Sequence, residues 1–193
     1  SMAARCTAVM EKPNKLEFES IKLVSIFLNK KRYAAIEILE SKLKRTFAES
    51  LKVGALNIKG LEGKRRDNAP IGGETQMKML DIVLREQNVP KAFEYVKGVL
   101  SNLLRGKIEV SKLIITKGLS KTAEEYKKGG TKQQHVELAK RIEERCDVTG
   151  ETPYQTGDRV PFIMVAGTKN SMACELAEDP VYAQKNGIPI NTH

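Results

Sequence analysis

Three cations followed by an aromatic residue, Lys30-Lys31-Arg32-Tyr33, could hold the phosphates of a nucleic-acid strand while the tyrosine packs under a sugar. A solvated basic turn or a nuclear-import patch has the same composition, and the tetrapeptide alone leaves these alternatives open. A second run, Lys59-Gly60-Leu61-Glu62-Gly63-Lys64-Arg65-Arg66-Asp67-Asn68, combines glycines that permit close backbone approach with adjacent arginines capable of bidentate phosphate contacts. In it Asp67 could orient one arginine; the plain alternative is a surface loop with an internal Arg–Asp pair. Gly157-Asp158-Arg159-Val160-Pro161-Phe162 reads as a structural corner before a strand.

Other chemistries find little support. The two histidines are His135, beside Val136 on a helical stripe, and the terminal His193, and no carboxylate cluster surrounds either. His135 is therefore expected to be a packed or surface residue and not a ligand. Cys6, Cys146 and Cys174 are odd in number, far apart and without C-x-x-C spacing, which argues against a disulfide framework or a zinc site and for reduced thiols in an intracellular protein. No apolar run approaches the roughly 18 residues of a membrane span, so no membrane partner is expected.

The elements that must carry the basic runs change period along the chain. Residues 15–39 alternate as strands do, with Leu16 and Phe18, then Val24, Ile26 and Leu28, then residues 33–38, so three strands are expected and the Lys30–Lys31 pair falls at a tight connection. Leu43, Phe47 and Leu51 at a spacing of four make 42–52 a short amphipathic helix or an irregular insertion, and residues 56–58 return to an extended pattern. From Gly72 onward Met77, Leu80, Val83 and Leu84 share a helical face. A second, antiparallel helix opens at Pro90, with Phe93, Val96, Leu100, Leu103 and Leu104 on its buried side, and ends at Gly106. Residues 110–116 read as extended, 121–127 as a small helix, Gly129-Gly130 as a break, and 132–146 as another helix. A loop over 149–157, a buried strand over 159–166 and a short helix begun by Asp179-Pro180 and ended by Asn186-Gly187 complete the pattern. The fold class is α+β: partial antiparallel strands followed by a mainly helical domain.

With 193 residues, 40% hydrophobic and 30% charged, the chain can bury a real core and is not a mostly disordered protein. It lacks tryptophan and is only 5% aromatic, so base stacking cannot be its main mode of binding. The formal net charge is +9, and residues 22–66 hold twelve Lys and Arg against four acids, so nearly the whole excess lies there. That points to an anionic partner.

The order of these pieces carries more than any one of them. Lys15-Leu16-Glu17-Phe18-Glu19, the Lys30-Lys31-Arg32-Tyr33 turn, Lys59-Gly60 and Arg65-Arg66-Asp67-Asn68 resemble the segment following the catalytic Y-G-D-T-D-S strand of family B DNA polymerases. Ser111-Lys112-Leu113-Ile114-Ile115-Thr116-Lys117, His135-Val136-Glu137-Leu138-Ala139, Gly157-Asp158-Arg159-Val160-Pro161, Ala177-Glu178-Asp179-Pro180 and Ile188-Pro189-Ile190-Asn191-Thr192 are similar, in the same order, to the thumb of the delta and large-DNA-virus members. The resemblance spans residues 12–193. It implies that Lys30, Lys31, Arg32 and Tyr33 approach the primer strand near its 3′ end. Arg65, Arg66 and Asp67 then match the palm-to-thumb junction that touches the duplex backbone, Lys59 counts among the DNA-binding residues, and Lys112 and Lys117 face DNA from the thumb.

On this resemblance residues 1–11 are a cloning remnant and palm-derived lead-in, 12–70 palm-edge strands with the primer-grip turn, and 71–193 the thumb. The family's metal-binding motifs, D-x-x-S-L-Y-P-S and Y-G-D-T-D-S, do not occur, so no catalytic or metal residue is expected in this stretch and no cofactor bound by it. Mg²⁺, nucleotide binding and nucleotidyl transfer belong to the parent enzyme. The implied partners are primer-template duplex, the rest of the polymerase chain and a processivity factor reached through the parent. The implied setting is the nucleus or a viral replication site. A free-standing basic nucleic-acid-binding module, or a scaffold whose basic face meets an acidic protein, are the alternatives.

Overall fold

The computed structural model describes residues 2–121, 123–128, 132–168 and 170–192. Two expectations, the Gly129-Gly130 break and the environment of His193, lie outside the described residues. The architecture is α+β with two small antiparallel sheets, and the chain divides into two compact units. One comprises Ser1–Leu61 with Leu80–Val89, the other Glu62–Met79 with Pro90–His193.

The first unit opens with helix α1 (Met2–Ala8) and is built on a sheet of order β1 (Ile21–Asn29), β2 (Arg32–Ile38), β3 (Ala55–Lys59). β2 is the central strand, and its Ala34, Ala35, Ile36 and Ile38 are buried together with Ile58 of β3, Leu51 of helix α2 (Phe47–Val53) and Ile82 and Leu84 of the π-helical turn Ile82–Glu86. α2 starts at a capping box in which the Thr46 hydroxyl accepts from the Glu49 N–H at 3.2 Å and the Glu49 carboxylate accepts from the Thr46 N–H at 3.4 Å. Its far end is closed by Arg85, whose guanidinium donates to the carbonyls of Leu51, Lys52 and Gly54 and is steadied by Asp81 at 2.6 Å. Those carbonyls would otherwise be the orphan acceptors of a helix C-terminus.

Several expectations are corrected in this unit. Residues 15–19 form no strand, and the backbone groups of Leu16 meet a side chain in place of a ladder. The Leu16 N–H donates to the Thr7 hydroxyl at 3.0 Å, and that hydroxyl lies 3.1 Å from the Leu16 carbonyl. The predicted helix over 42–52 begins only at Phe47, and Leu43 and Phe47 of its expected apolar face are exposed, leaving Leu51 as the buried anchor. The helix expected to run through Leu84 changes at Ile82 into the π turn, which ends at Gln87 with φ +51°.

The second unit holds most of helix α3 (Pro70–Asp81), helices α4 (Val89–Leu104), α5 (Ala123–Lys128), α6 (Gln134–Thr149) and α7 (Pro180–Lys185), and a sheet of order β4 (Ile115–Gly118), β5 (Arg159–Met164), β6 (Ala177–Glu178). β5 feeds two cores through the two-residue period of a strand. Val160 and Phe162 pack with Leu119, Val136, Leu138 and Ile142, while Ile163 and Val165 pack with Ala183. The segment expected to be extended from 110 instead starts with a 3₁₀ turn, Val110–Lys112, and becomes a strand only at Ile115. α4 departs furthest. Phe93, Leu100 and Leu104 of the side expected to be buried are 60%, 52% and 55% exposed, and only Ala92 is buried. The helical period is intact and Val96 and Leu103 are half-buried, but the other three residues of that side lie open.

Candidate nucleic-acid interface

In the first unit Lys30 and Lys31 are the two residues of the β1–β2 hairpin turn, between the paired Asn29 and Arg32. Lys31 sits at φ +66°, a left-handed conformation that usually falls to Gly or Asn. The side chains of Lys30, Lys31 and Arg32 are exposed and have no ion pair or hydrogen bond among the described residues. Their charge is therefore available to an external anion.

Tyr33 lies in a cross-strand row with Phe27 on β1 and Lys59 on β3. The Phe27 and Tyr33 rings stand 5.9 Å apart, and the Lys22 ammonium lies 5.8 Å from the Tyr33 ring. Lys22 in turn pairs with Glu37 at 3.0 Å, and Glu37 accepts from Asn57 Nδ2 at 2.8 Å. Burial pushes the Glu37 carboxyl up, but these hydrogen bonds overcome it and hold Glu37 below its usual range. The tyrosine body is thus fixed by neighbours on its own sheet. Lys22 is a contributor that the sequence reading missed; its only signal was its place on the strand paired with Glu37.

Gly60 explains how the turn is held. It adopts φ +66°, and a Cβ there would run into the Lys31 carbonyl oxygen and stand 2.9 Å from Arg32 Cγ. The close backbone approach expected of this glycine is made to the basic turn itself.

In the second unit Arg65 grips Asp67 with both edges of its fork, Nε to Oδ1 at 2.9 Å and Nη2 to Oδ2 at 2.7 Å. Hydrogen bonds from Arg65 hold the Asp67 carboxyl down at about 2, and the charge of Lys117 acts in the same direction. Arg66 is different: its exposed guanidinium has no partner among the described residues, while its backbone carbonyl accepts from Arg159 Nη2 at 3.3 Å. The same Arg159 nitrogen donates to the Thr116 carbonyl at 2.8 Å, tying the 65–67 loop to β4, which carries Lys117. Arg159 is the second residue sequence reasoning passed over, having been read as part of a corner. Lys117 lies 6.0 Å over the Phe162 ring, and Lys112 is paired with Glu74 at 2.8 Å. The field of Lys112 is therefore largely cancelled locally, whereas Arg66 remains open.

A cavity of about 510 Å³ beside this loop is lined by Gly63, Arg65, Arg66, Asn68, Gly73 and Thr116. It lies at the start of α3, whose first turn carries no acid. The helix N-terminus and the unpaired Arg66 favour an anion there, opposed by Glu74, which also lines the cavity and is paired with Lys112. No group of three or more His, Cys, Asp or Glu side chains able to hold a metal ion occurs among the described residues, so Mg²⁺ has no fitting set of ligands there.

Two exposed basic features are carried on an α+β scaffold, and comparison with known proteins gives the family. The model of DNA polymerase family B matches residues 1–193, and the chain belongs to that family. It is similar to the DNA polymerase delta catalytic subunits of Oryza sativa subsp. japonica, 38% identical over 180 residues, and Caenorhabditis elegans, 37% identical over 190 residues. These alignments cover 93% and 98% of the chain but only 15% and 16% of those proteins. The fold is also that of part of the family B DNA polymerase from the archaeon Pyrobaculum calidifontis, with a TM-score of 0.61 at 24% identity over 87% of this chain and 19% of that one. The chain spans about one-sixth of the length of the curated relatives it matches.

Proposed function

We propose that this stretch of a family B polymerase grips primer-template duplex DNA, with residues 12–70 acting as the palm edge and 71–193 as the thumb of an enzyme that carries out template-directed nucleotidyl transfer with Mg²⁺ held elsewhere. The observation that carries the reading is the hairpin turn, where Lys30, Lys31 and Arg32 project without internal partners beside a tyrosine fixed by Phe27 and Lys22. Lys59, Arg65, Arg66, Asp67, Lys112 and Lys117 complete the proposed contact set. Within it Arg66 makes a direct phosphate contact, Arg65 contributes through the geometry Asp67 imposes, and Lys112 contributes least because Glu74 neutralises it. Such contacts position the duplex and read no sequence. The remaining polymerase chain and a processivity factor are the proposed protein partners, at an intracellular site of DNA replication.

The test is a fluorescence-anisotropy salt titration of the chain on primer-template duplex. Each phosphate contact releases about 0.9 counterion, so Lys30→Ala with Lys31→Ala is expected to weaken binding to every sequence alike and flatten the log-log slope by about two units. Identical slope and affinity in the two proteins would remove the turn from the interface.

A further inference from the structure

The second unit carries a larger cleft, of about 710 Å³, between the C-terminal end of α6, the loop over 150–158 and α7. Its apolar surface comes from Ile142 at the floor and from Pro153, Val181 and the rings of Tyr154 and Tyr182 at the walls. Val181 is 59% exposed, an unusual position for a valine on a short helix whose opposite side is buried through Ala183. One wall is rigid. Arg145 holds Glu151 through Nε at 2.6 Å and Nη2 at 3.0 Å, reaches Glu178 at 2.8 Å, and stacks 3.6 Å from the Tyr182 ring.

The charge around this cleft differs in sign from that of the chain as a whole. Asp158 uses Oδ2 to accept from the Gln155 N–H, and Asp179 uses Oδ1 to accept from the Tyr182 N–H, both at 2.8 Å. The second oxygen of each carboxylate has no hydrogen bond among the described residues. Two cations also line the cleft against the three carboxylates of Glu151, Asp158 and Asp179: Arg159, whose guanidinium is turned to the carbonyls of Arg66 and Thr116, and Lys185, which has no ion pair among the described residues. Tyr154 records the resulting field. Its hydroxyl is pushed up by burial and by Asp179, Glu151 and Asp158.

We propose that this cleft docks a protein segment presenting a lysine or arginine next to an apolar side chain. The cation sits between the open carboxylate oxygens of Asp158 and Asp179 at the Tyr154 hydroxyl, and its apolar neighbour lies on Val181 and Pro153. Charge complementarity selects this occupant. A nucleic-acid strand would bring phosphates to the same carboxylates, and an acidic segment would meet the same repulsion.

The experiment follows ¹⁵N chemical shifts of the full 193-residue chain on titration with the peptide Gly-Ser-Ile-Lys-Arg-Leu-Ser-Gly. A second peptide with Glu in place of Lys and Arg, and spermidine, serve as comparisons. The expected result is saturable shifts at Tyr154, Val181 and Tyr182 with the basic peptide and none with the acidic one. Asp158→Asn with Asp179→Asn keeps both backbone acceptors, since Asn caps a helix as well as Asp, and is expected to weaken binding at least tenfold with the melting temperature unchanged. Val181→Ser, at an exposed position, is expected to weaken it about threefold or more. Absence of shifts at millimolar peptide, equal binding of the acidic peptide, an unaltered affinity in both variants, or displacement of the peptide by spermidine at equal concentration would overturn the proposal.

Discussion

Gly60→Ala tests whether the basic turn is held by backbone fit. The substitution changes no charge. An alanine at φ +66° costs about 1 kcal/mol for the left-handed conformation alone, and its Cβ must displace the Lys31 carbonyl, which belongs to the hairpin backbone and cannot swing away as Arg32 Cγ can. Together these place the cost at about 1–3 kcal/mol, borne by the first unit. In hydrogen exchange the amides of β2 are then expected to exchange about five to 150 times faster. On DNA the displaced turn is expected to lose contacts of Lys31 and Arg32, lowering affinity and flattening the salt slope by one to two units although every cation is still present. Gly72→Ala is the matched control. That glycine lies in α3 with nothing within 4 Å of its Cβ position, so alanine is expected to raise helix stability by about 0.5–1 kcal/mol and leave DNA binding unchanged. Wild-type exchange rates and salt slope in Gly60→Ala would refute the claim that this glycine seats the turn.

Arg85→Lys leaves the carbonyls at the end of α2 without the fork that now reaches three of them, and urea unfolding is expected to show a loss of about 1–3 kcal/mol. His135 is buried, meets Tyr126 edge-on at 6.3 Å, and has its proton affinity lowered by burial and by Lys117. The unfolded chain takes up that proton near pH 6.5 while the folded one resists. The stability His135 contributes is therefore full above about pH 6.5 and lost as pH falls below it. Melting temperatures across pH 5 to 8 are expected to show the loss, and His135→Gln to reduce it. Primer-extension assays with Mg²⁺ or Mn²⁺ are expected to show no incorporation by the chain alone, and sustained extension by contaminant-free protein would contradict the proposed division of labour. Tyr33→Phe is expected to leave the DNA salt slope unchanged, because it removes no charge.

Much of the local structure was legible because it is local. The two-residue spacing of Val24, Ile26 and Leu28 and the turn at Lys30–Lys31 correspond to the β1–β2 hairpin. Asp179-Pro180 places an N-cap and a first-turn proline where α7 begins, with the Asp179 carboxylate accepting from the Tyr182 N–H. The order of motifs from Lys15 to Thr192 sufficed for the family, since it survives in sequence without any knowledge of packing. Periodicity, however, states which residues share a face and not whether anything covers it. Of the α4 stripe read as buried, Phe93, Leu100 and Leu104 are exposed, and the alternation at Leu16 and Phe18, read as a strand, forms none. Likewise, a count of charges does not say which are spent. Only the folded chain brings Glu74 to Lys112 across 38 positions and Arg159 to the Arg66 carbonyl across 93, and those distances along the chain decide that Lys112 is muted while the Arg66 side chain stays open. Partners so far apart meet through the tertiary fold, whose pairings no local pattern encodes.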